Sequence, residues 1–387
     1  MRITIVTETY FPQVNGVSRT LGELVRHLTE RGDTVQLIHP DYGEVIDASS
    51  HAHAVRSVVL PFYKELFLPL PPFGGVRRAM DRFRPDLVHI ATEATLGLTA
   101  LRFAMKRRLN VVSSFHTNFD QYSRHYRVGW ARSVIEGYLR WFHNRTRETY
   151  VPSRATIAQL ERSGFERLVL WQRGVDATMF RPDRPGRREI RRAMGWSPED
   201  TVIGYVSRIA PEKNVDYLAD ALAIVAARRP DVRILMVGDG PSRAALERRL
   251  GASARFVGYK TGEDVADHYA AADIFAFSSL TETFGNVVLE AKASGLPVVA
   301  LRAGGVGETV RHGETGLLVE PGEPPDRLAD ALVSLVDRPD ERRRLALAAR
   351  RYAEGQSWAV IMGGLRERYL SVIEQGDPSF ATGGMRR

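Results

Sequence analysis

Cysteine is absent from the 387 residues, which excludes disulfides, thiolate catalysis and Cys-ligated zinc. No Asp-x-Asp pair occurs anywhere in the chain. The usual carboxylate ligands for a divalent cation on a diphosphate are therefore missing. No apolar run approaches the ~20 residues that a membrane-spanning helix needs. The chain enters a strand-like run at once, without a charged segment followed by an apolar one, so no signal peptide is expected and a cytoplasmic protein follows. The first strand–turn–helix lacks Gly-x-Gly-x-x-Gly, and its second strand ends in His39-Pro40, with Asp41 just beyond. A dinucleotide-dependent dehydrogenase is disfavoured on that ground. Helix-turn-helix, RNP and zinc-finger signatures are also missing, which removes nucleic acid as the expected partner.

What is present describes a globular protein, 44% hydrophobic and 26% charged. The length favours two domains of roughly 150–200 residues each. Charge is uneven: the first 170 residues carry 23 Lys and Arg against 16 Asp and Glu, which is +7 of the total of +8. A basic first half suits an anionic lipid face or a phosphorylated substrate, and equally a merely Arg-rich solvated surface. Short β-branched runs at Arg2–Thr7, Thr34–His39, Ala54–Leu60, Leu87–Ile90, Val111–Phe115 and Thr149–Val151 alternate with helical patterns. A second alternation uses Val202–Tyr205, Arg233–Val237, Ala254–Val257, Ile274–Phe277, Val298–Leu301 and Leu317–Val319. This predicts an α/β protein of two doubly wound, Rossmann-like parallel sheets with a ligand cleft between them. The expected divisions are 1–172, 173–356, a final helix over 357–375 and a disordered tail over 376–387. The aromatic, proline-rich segment 62–73 reads as a surface loop, or as a loop facing an acceptor or a membrane. The stretch from Tyr122 through Trp141 reads as an amphipathic helix that packs on the core or meets such a partner.

One stretch carries the chemistry. In Ser279–Ser294 two glutamates, Glu282 and Glu290, stand with seven residues between them, and Phe284-Gly285-Asn286 comes after the first. The pattern places Glu282 in a loop before a helix and Glu290 about one and a half turns inside it. Helix-start N–H groups favour a phosphate, and flanking carboxylates suit vicinal hydroxyls, so the expected ligand is a sugar nucleotide. Arg208 and Lys213 follow another strand and could neutralise a departing nucleoside diphosphate. Gly238 follows a third strand. In the first half, Asn15-Gly16 lets a phosphate approach the backbone, and His116 sits at a strand end where α/β sheets place ligands. An ordinary turn and a structural histidine are the alternatives for these two.

Arg208 and Lys213 within RIAPEKN, GDGP at 238–241, Phe256-Val257-Gly258 and TETFGNVVLEA together resemble the retaining GT-B glycosyltransferases of family 4. Asn15-Gly16, where many members carry Gly-Gly, and Ser357-Trp358 before the last helix agree. The resemblance runs from residue 1 to about 375. It implies that Arg208 and Lys213 bind the donor diphosphate, assisted by the Phe284, Gly285, Asn286 and Val287 backbone. Glu290 would hold the ribose, Glu282 the transferred sugar, and Val257-Gly258 would meet the base. Gly16 would approach the diphosphate from the first domain, and His116 would contact the sugar. The final helix would cross back to the first domain. No metal or other cofactor is implied, and the acceptor proton would leave with the departing phosphate. The openings ETYFPQVNGVSRT and HTNFDQY look most like GDP-mannose-dependent α-mannosyltransferases and lipid glycosyltransferases. Expected partners are therefore a nucleotide sugar and a hydroxyl acceptor, lipid-linked in one reading, with peripheral contact at the inner face of the plasma membrane. A UDP-sugar hexosyltransferase, a sugar-nucleotide epimerase, a phosphorylase and a non-catalytic sugar-nucleotide binder are the alternatives.

Overall fold

The β-branched runs form strands that are buried on both faces, as parallel strands between helical layers must be. A computed structural model describes residues 1–13, 16–43, 51–60, 63–71, 73–116 and 129–376. Asn15, most of the aromatic stretch from Tyr122, and the tail from 377 lie outside the described residues. The chain divides into two units, one made of Met1–Gln172 plus the chain from Ala359, the other of Arg173–Trp358.

In the first unit the chain runs β1 (Arg2–Val6), α1 (Gly16–Glu30), β2 (Thr34–Pro40), β3 (His53–Val55), β4 (Ser57–Leu60), β5 (Tyr63–Pro69), α2 (Gly74–Phe83), β6 (Leu87–Ile90), α3 (Thr95–Arg107), β7 (Asn110–Ser114), α4 (Gly129–His143), β8 (Thr149–Val151), α5 (Arg154–Arg162) and β9 (Leu168–Leu170). Seven strands make one parallel sheet in the order β3-β2-β1-β6-β7-β8-β9. β1 and β6 are neighbours whose connections leave in opposite directions, which creates a ligand-accepting crevice at their carboxyl ends.

Two expectations fail here. The run 54–60 is not one strand: Val55 ends opposite Pro40, which has no N–H to extend a ladder, and the chain turns away. β4 then pairs antiparallel with β5, so the segment expected as a loop over 62–73 contains a strand. Its prolines at 69 and 71 terminate that strand instead of preventing it.

The second unit runs α6 (Gly186–Ala193), β10 (Val202–Val206), a 3₁₀ turn (Pro211–Lys213), α7 (Val215–Arg228), β11 (Arg233–Val237), α8 (Arg243–Leu250), β12 (Ala254–Phe256), α9 (Gly262–Ala271), β13 (Ile274–Phe277), α10 (Asn286–Ala293), β14 (Val298–Leu301), α11 (Gly304–Thr309), β15 (Gly316–Val319), α12 (Pro325–Asp337) and α13 (Pro339–Glu354). The sheet order β12-β11-β10-β13-β14-β15 is parallel throughout. The switch point falls between β10 and β13.

The last helix, α14 (Trp358–Glu374), belongs almost wholly to the first unit. Arg366 forks onto Asp33 at 2.7 and 3.2 Å, and the same carboxylate takes the N-terminal amine at 2.9 Å. Tyr369 shares a 2.6 Å hydrogen bond with His89 of β6. Complete burial drives the His89 pKa down to about 3, so the pair is neutral. No helix among the described residues is long and apolar enough to cross a membrane.

Candidate active site

The loops that follow β10 and β13 meet at the switch point of the second sheet. Lys213 closes the 3₁₀ turn after β10, and its ammonium forms an ion pair with the Glu282 carboxylate in the loop after β13. The two side chains keep 22% and 16% of their exposure, so the pair is reachable from outside without being fully solvated. Ser278, at the end of β13, has its hydroxyl 3.0 Å from the carbonyls of both Lys213 and Asn214. Thr281 donates to the Glu212 carbonyl at 3.4 Å. These bonds latch the two loops before any ligand arrives. Arg208 is a different kind of group: it is exposed, and its guanidinium lies 3.4 Å from Glu212. Its backbone carbonyl is fixed by the Tyr205 hydroxyl at 2.9 Å, so the stem is placed while the cation stays in solvent.

Glu290 lies inside α10, as the spacing required, and is buried. The Tyr269 hydroxyl from α9 lies 3.1 Å from its Oε2 and 3.2 Å from the Val287 carbonyl. Gly285 caps the helix start, where Asn286 and Val287 open the first turn. Phe284 sends its ring into the core, which leaves only its backbone for a ligand. Behind this loop runs α11. The Gly305 N–H donates to the Glu282 carbonyl at 2.9 Å. A Cβ on Gly304 would stand 2.3 Å from that same carbonyl, and one on Gly305 would stand 2.5 Å from the Thr283 carbonyl. Only glycine permits an approach this close.

The other expected residues fall at strand ends in their own units. Gly238 donates to the Gly258 carbonyl at 2.8 Å, and Val257 to Met236 at 3.1 Å, which aligns the ends of β11 and β12 beside β10. In the first unit, Gly16 begins α1. His116 follows β7, with its ring 5.9 Å from that of Trp171. Asn15 lies outside the described residues. Glu8, to which the sequence assigned no role, lies two residues beyond β1. Its Oε1 accepts the Leu96 and Gly97 N–H groups at 2.8 and 3.0 Å, and burial raises its pKa to about 8. Among the described residues no group of three or more His, Asp or Glu is arranged to hold a metal.

Tyr269, Ser278, Gly304 and Gly305 also shape the site and were not singled out from sequence. Only the Gly304-Gly305 pair just after a strand left a local signal; the others act across turns that no periodicity connects. Chemically, the second unit offers two cations, Arg208 exposed beside Glu212 and Lys213 paired with Glu282, beside a helix start. That set suits a ligand that combines phosphate with hydroxyls.

Residues 14–179 match the family described as Glycosyltransferase Family 4, and residues 200–338 match Glycosyl transferases group 1. A GDP-mannose-dependent alpha-mannosyltransferase of Mycobacterium tuberculosis is 37% identical over 96% of this chain and 97% of its own. The protein of the same name from Mycolicibacterium smegmatis is 35% identical over 96% and 98%. Among solved structures, Anabaena HepE in complex with UDP superimposes with a TM-score of 0.77 at 21% identity, over 96% of this chain and 100% of its own.

Proposed function

The chain belongs to the family 4, group 1 glycosyltransferases, and from that premise we propose that it moves mannose from GDP-mannose to an acceptor hydroxyl, with retention of configuration and without a metal. The donor reading is supported by the names of full-length relatives at 35–37% identity. The observation that carries the site assignment is the Lys213–Glu282 pair latched at the switch point, with Glu290 pinned eight positions further on.

In this reading Arg208 and Lys213 take the diphosphate, and the first turn of α10 presents its N–H groups to it. Glu290 holds the ribose and Glu282 the hydroxyls of mannose. Gly238, Val257 and Gly258 border the base, while Gly16 and His116 serve from the first unit. The bond from the anomeric carbon to the phosphate oxygen breaks as the acceptor oxygen bonds to that carbon on the same face. The acceptor proton passes to the departing phosphate, and the two cations stabilise the charge that develops there. Removing one such preorganised donor typically costs about 3–4 kcal/mol. The basic first half supports an acceptor at an anionic membrane face, where each Lys or Arg contributes about 1 kcal/mol. A cytoplasmic enzyme bound peripherally to the inner leaflet follows.

Thermal-shift titration with GDP-mannose, GDP-glucose, UDP-glucose, UDP-galactose and UDP-GlcNAc tests the donor. A ligand at a hundred times its Kd stabilises by about 2.7 kcal/mol, so GDP-mannose should give the largest shift. A larger shift with a UDP-sugar would overturn the choice. EDTA should leave the transfer rate unchanged, and strong inhibition would refute the metal-free mechanism.

A further inference from the structure

Lys292 sits on α10 two residues beyond Glu290, and its side chain is fully buried. Its amine donates to the Thr309 carbonyl at 2.6 Å and lies 3.1 Å from the centre of the Tyr352 ring of α13. Arg311 faces the same ring at 5.4 Å. Thr309 ends α11, and its hydroxyl lies 2.8 Å from the Gly305 carbonyl and 3.4 Å from the Phe284 carbonyl. Gly305 in turn donates to the backbone of Glu282. A continuous set of hydrogen bonds therefore joins Lys292 to the back of the loop whose front carries the Glu282 carboxylate. Burial, helped by Arg311 and opposed by Glu314, lowers the Lys292 pKa to about 6. The amine is neutral at pH 7 and acts as a hydrogen-bond donor instead of a countercharge. Methionine would fill nearly the same volume without the cost of desolvating an amine, so packing alone does not account for lysine here.

We propose that Lys292 is a positioning residue for the donor sugar: by holding Thr309, it clamps α11 onto the Glu282–Phe284 backbone and sets where the Glu282 carboxylate meets mannose. This rests on the reading of Glu282 as the sugar-facing group.

Lys292→Met removes the donor and keeps the bulk; Lys292→Gln keeps a neutral N–H donor. The Met variant should melt no lower than the parent, yet raise the KM for GDP-mannose about tenfold. Its affinity for GDP, which has no sugar, should change less than twofold. Gln should recover at least half of the lost KM. Amide exchange at Gly305 should quicken in Met and not in Gln, a readout that needs no donor at all. An unchanged GDP-mannose KM together with unchanged Gly305 exchange in the Met variant would overturn the proposal. Faster exchange in a protein whose parent ignores GDP-mannose would instead leave the clamp standing and sink the donor assignment. If Met fails to fold, Lys292→Leu substitutes for it in the same comparison.

Discussion

Lys213 and Glu282 neutralise each other before any ligand is present, so a diphosphate that reaches Lys213 must displace a carboxylate from it. Removing that carboxylate should therefore separate two affinities. Glu282→Gln is expected to bind GDP as tightly as the parent or several-fold tighter, because Lys213 is freed and a negative charge is gone. The same variant should lose about a hundredfold in kcat/KM for GDP-mannose, since a hydrogen bond to an ionised group is worth about 1.5–3 kcal/mol. Calorimetric titration with GDP, set beside steady-state rates, reads both; equal losses in the two would show that Glu282 serves the phosphates. Lys213→Ala should do the reverse and weaken GDP itself. These two residues were legible in the sequence because each follows a β-branched run at a fixed short distance. Their pairing was not, since it joins loops that lie far apart in the chain. Tyr269, which fixes Glu290 from another helix, was invisible for the same reason.

Elements were legible in proportion to their burial. Leu87–Ile90, Arg233–Val237 and Val298–Leu301 appear in the structure with the bounds that their sequence runs suggested, because a strand covered on both faces is predominantly apolar. β4 and β5 lie outside the main sheet and pair only with each other, so the apolar run at Val58–Leu60 showed a strand without showing its partner. β9, at the sheet edge, is three residues long and half-buried, and gave no signal. The shortest functional element, α11, depends on two glycines whose role is to be small. Alanine at Gly305 would place a methyl 2.4 Å from the Phe284 Cα. Gly305→Ala should destabilise the protein by about 1–3 kcal/mol through overpacking, and should abolish the GDP-mannose thermal shift by pushing the Glu282 loop forward. Gly307, where the nearest approach is 3.3 Å to the Arg302 side chain, is the control: its alanine variant should keep both properties.

At the scale of the whole chain, each unit buries one group, Glu8 and Lys292, and the two have opposite dependences on pH. Glu8 in the first unit holds its proton up to about pH 8, with Glu93 adding to the effect of burial and the Leu96 and Gly97 N–H groups opposing it. Unfolded, it ionises near pH 4.3. Between those values the folded state binds more protons, so stability falls as pH rises. Lys292 in the second unit is the mirror case: its folded pKa of about 6 lies below the unfolded value, so stability rises with pH across that interval. The buried His89 and His143 have pKa values pushed down to about 3, and above pH 7 they are neutral in the folded state and mostly neutral in the unfolded one. Glu8 and Lys292 then act as opposing influences between pH 7 and 8, each worth about 1 kcal/mol per pH unit. In the parent the two slopes should nearly cancel, and the urea midpoint should stay flat over this range. Glu8→Gln keeps the two N–H bonds through its amide oxygen, removes the ionisation, and should make the midpoint climb with pH. Lys292→Met should make it drop. If the units unfold separately, the same slopes should appear within the parent as two transitions that converge or diverge with pH. Midpoints equally flat in the parent and both variants would show that neither group is buried in the protonation state assigned to it.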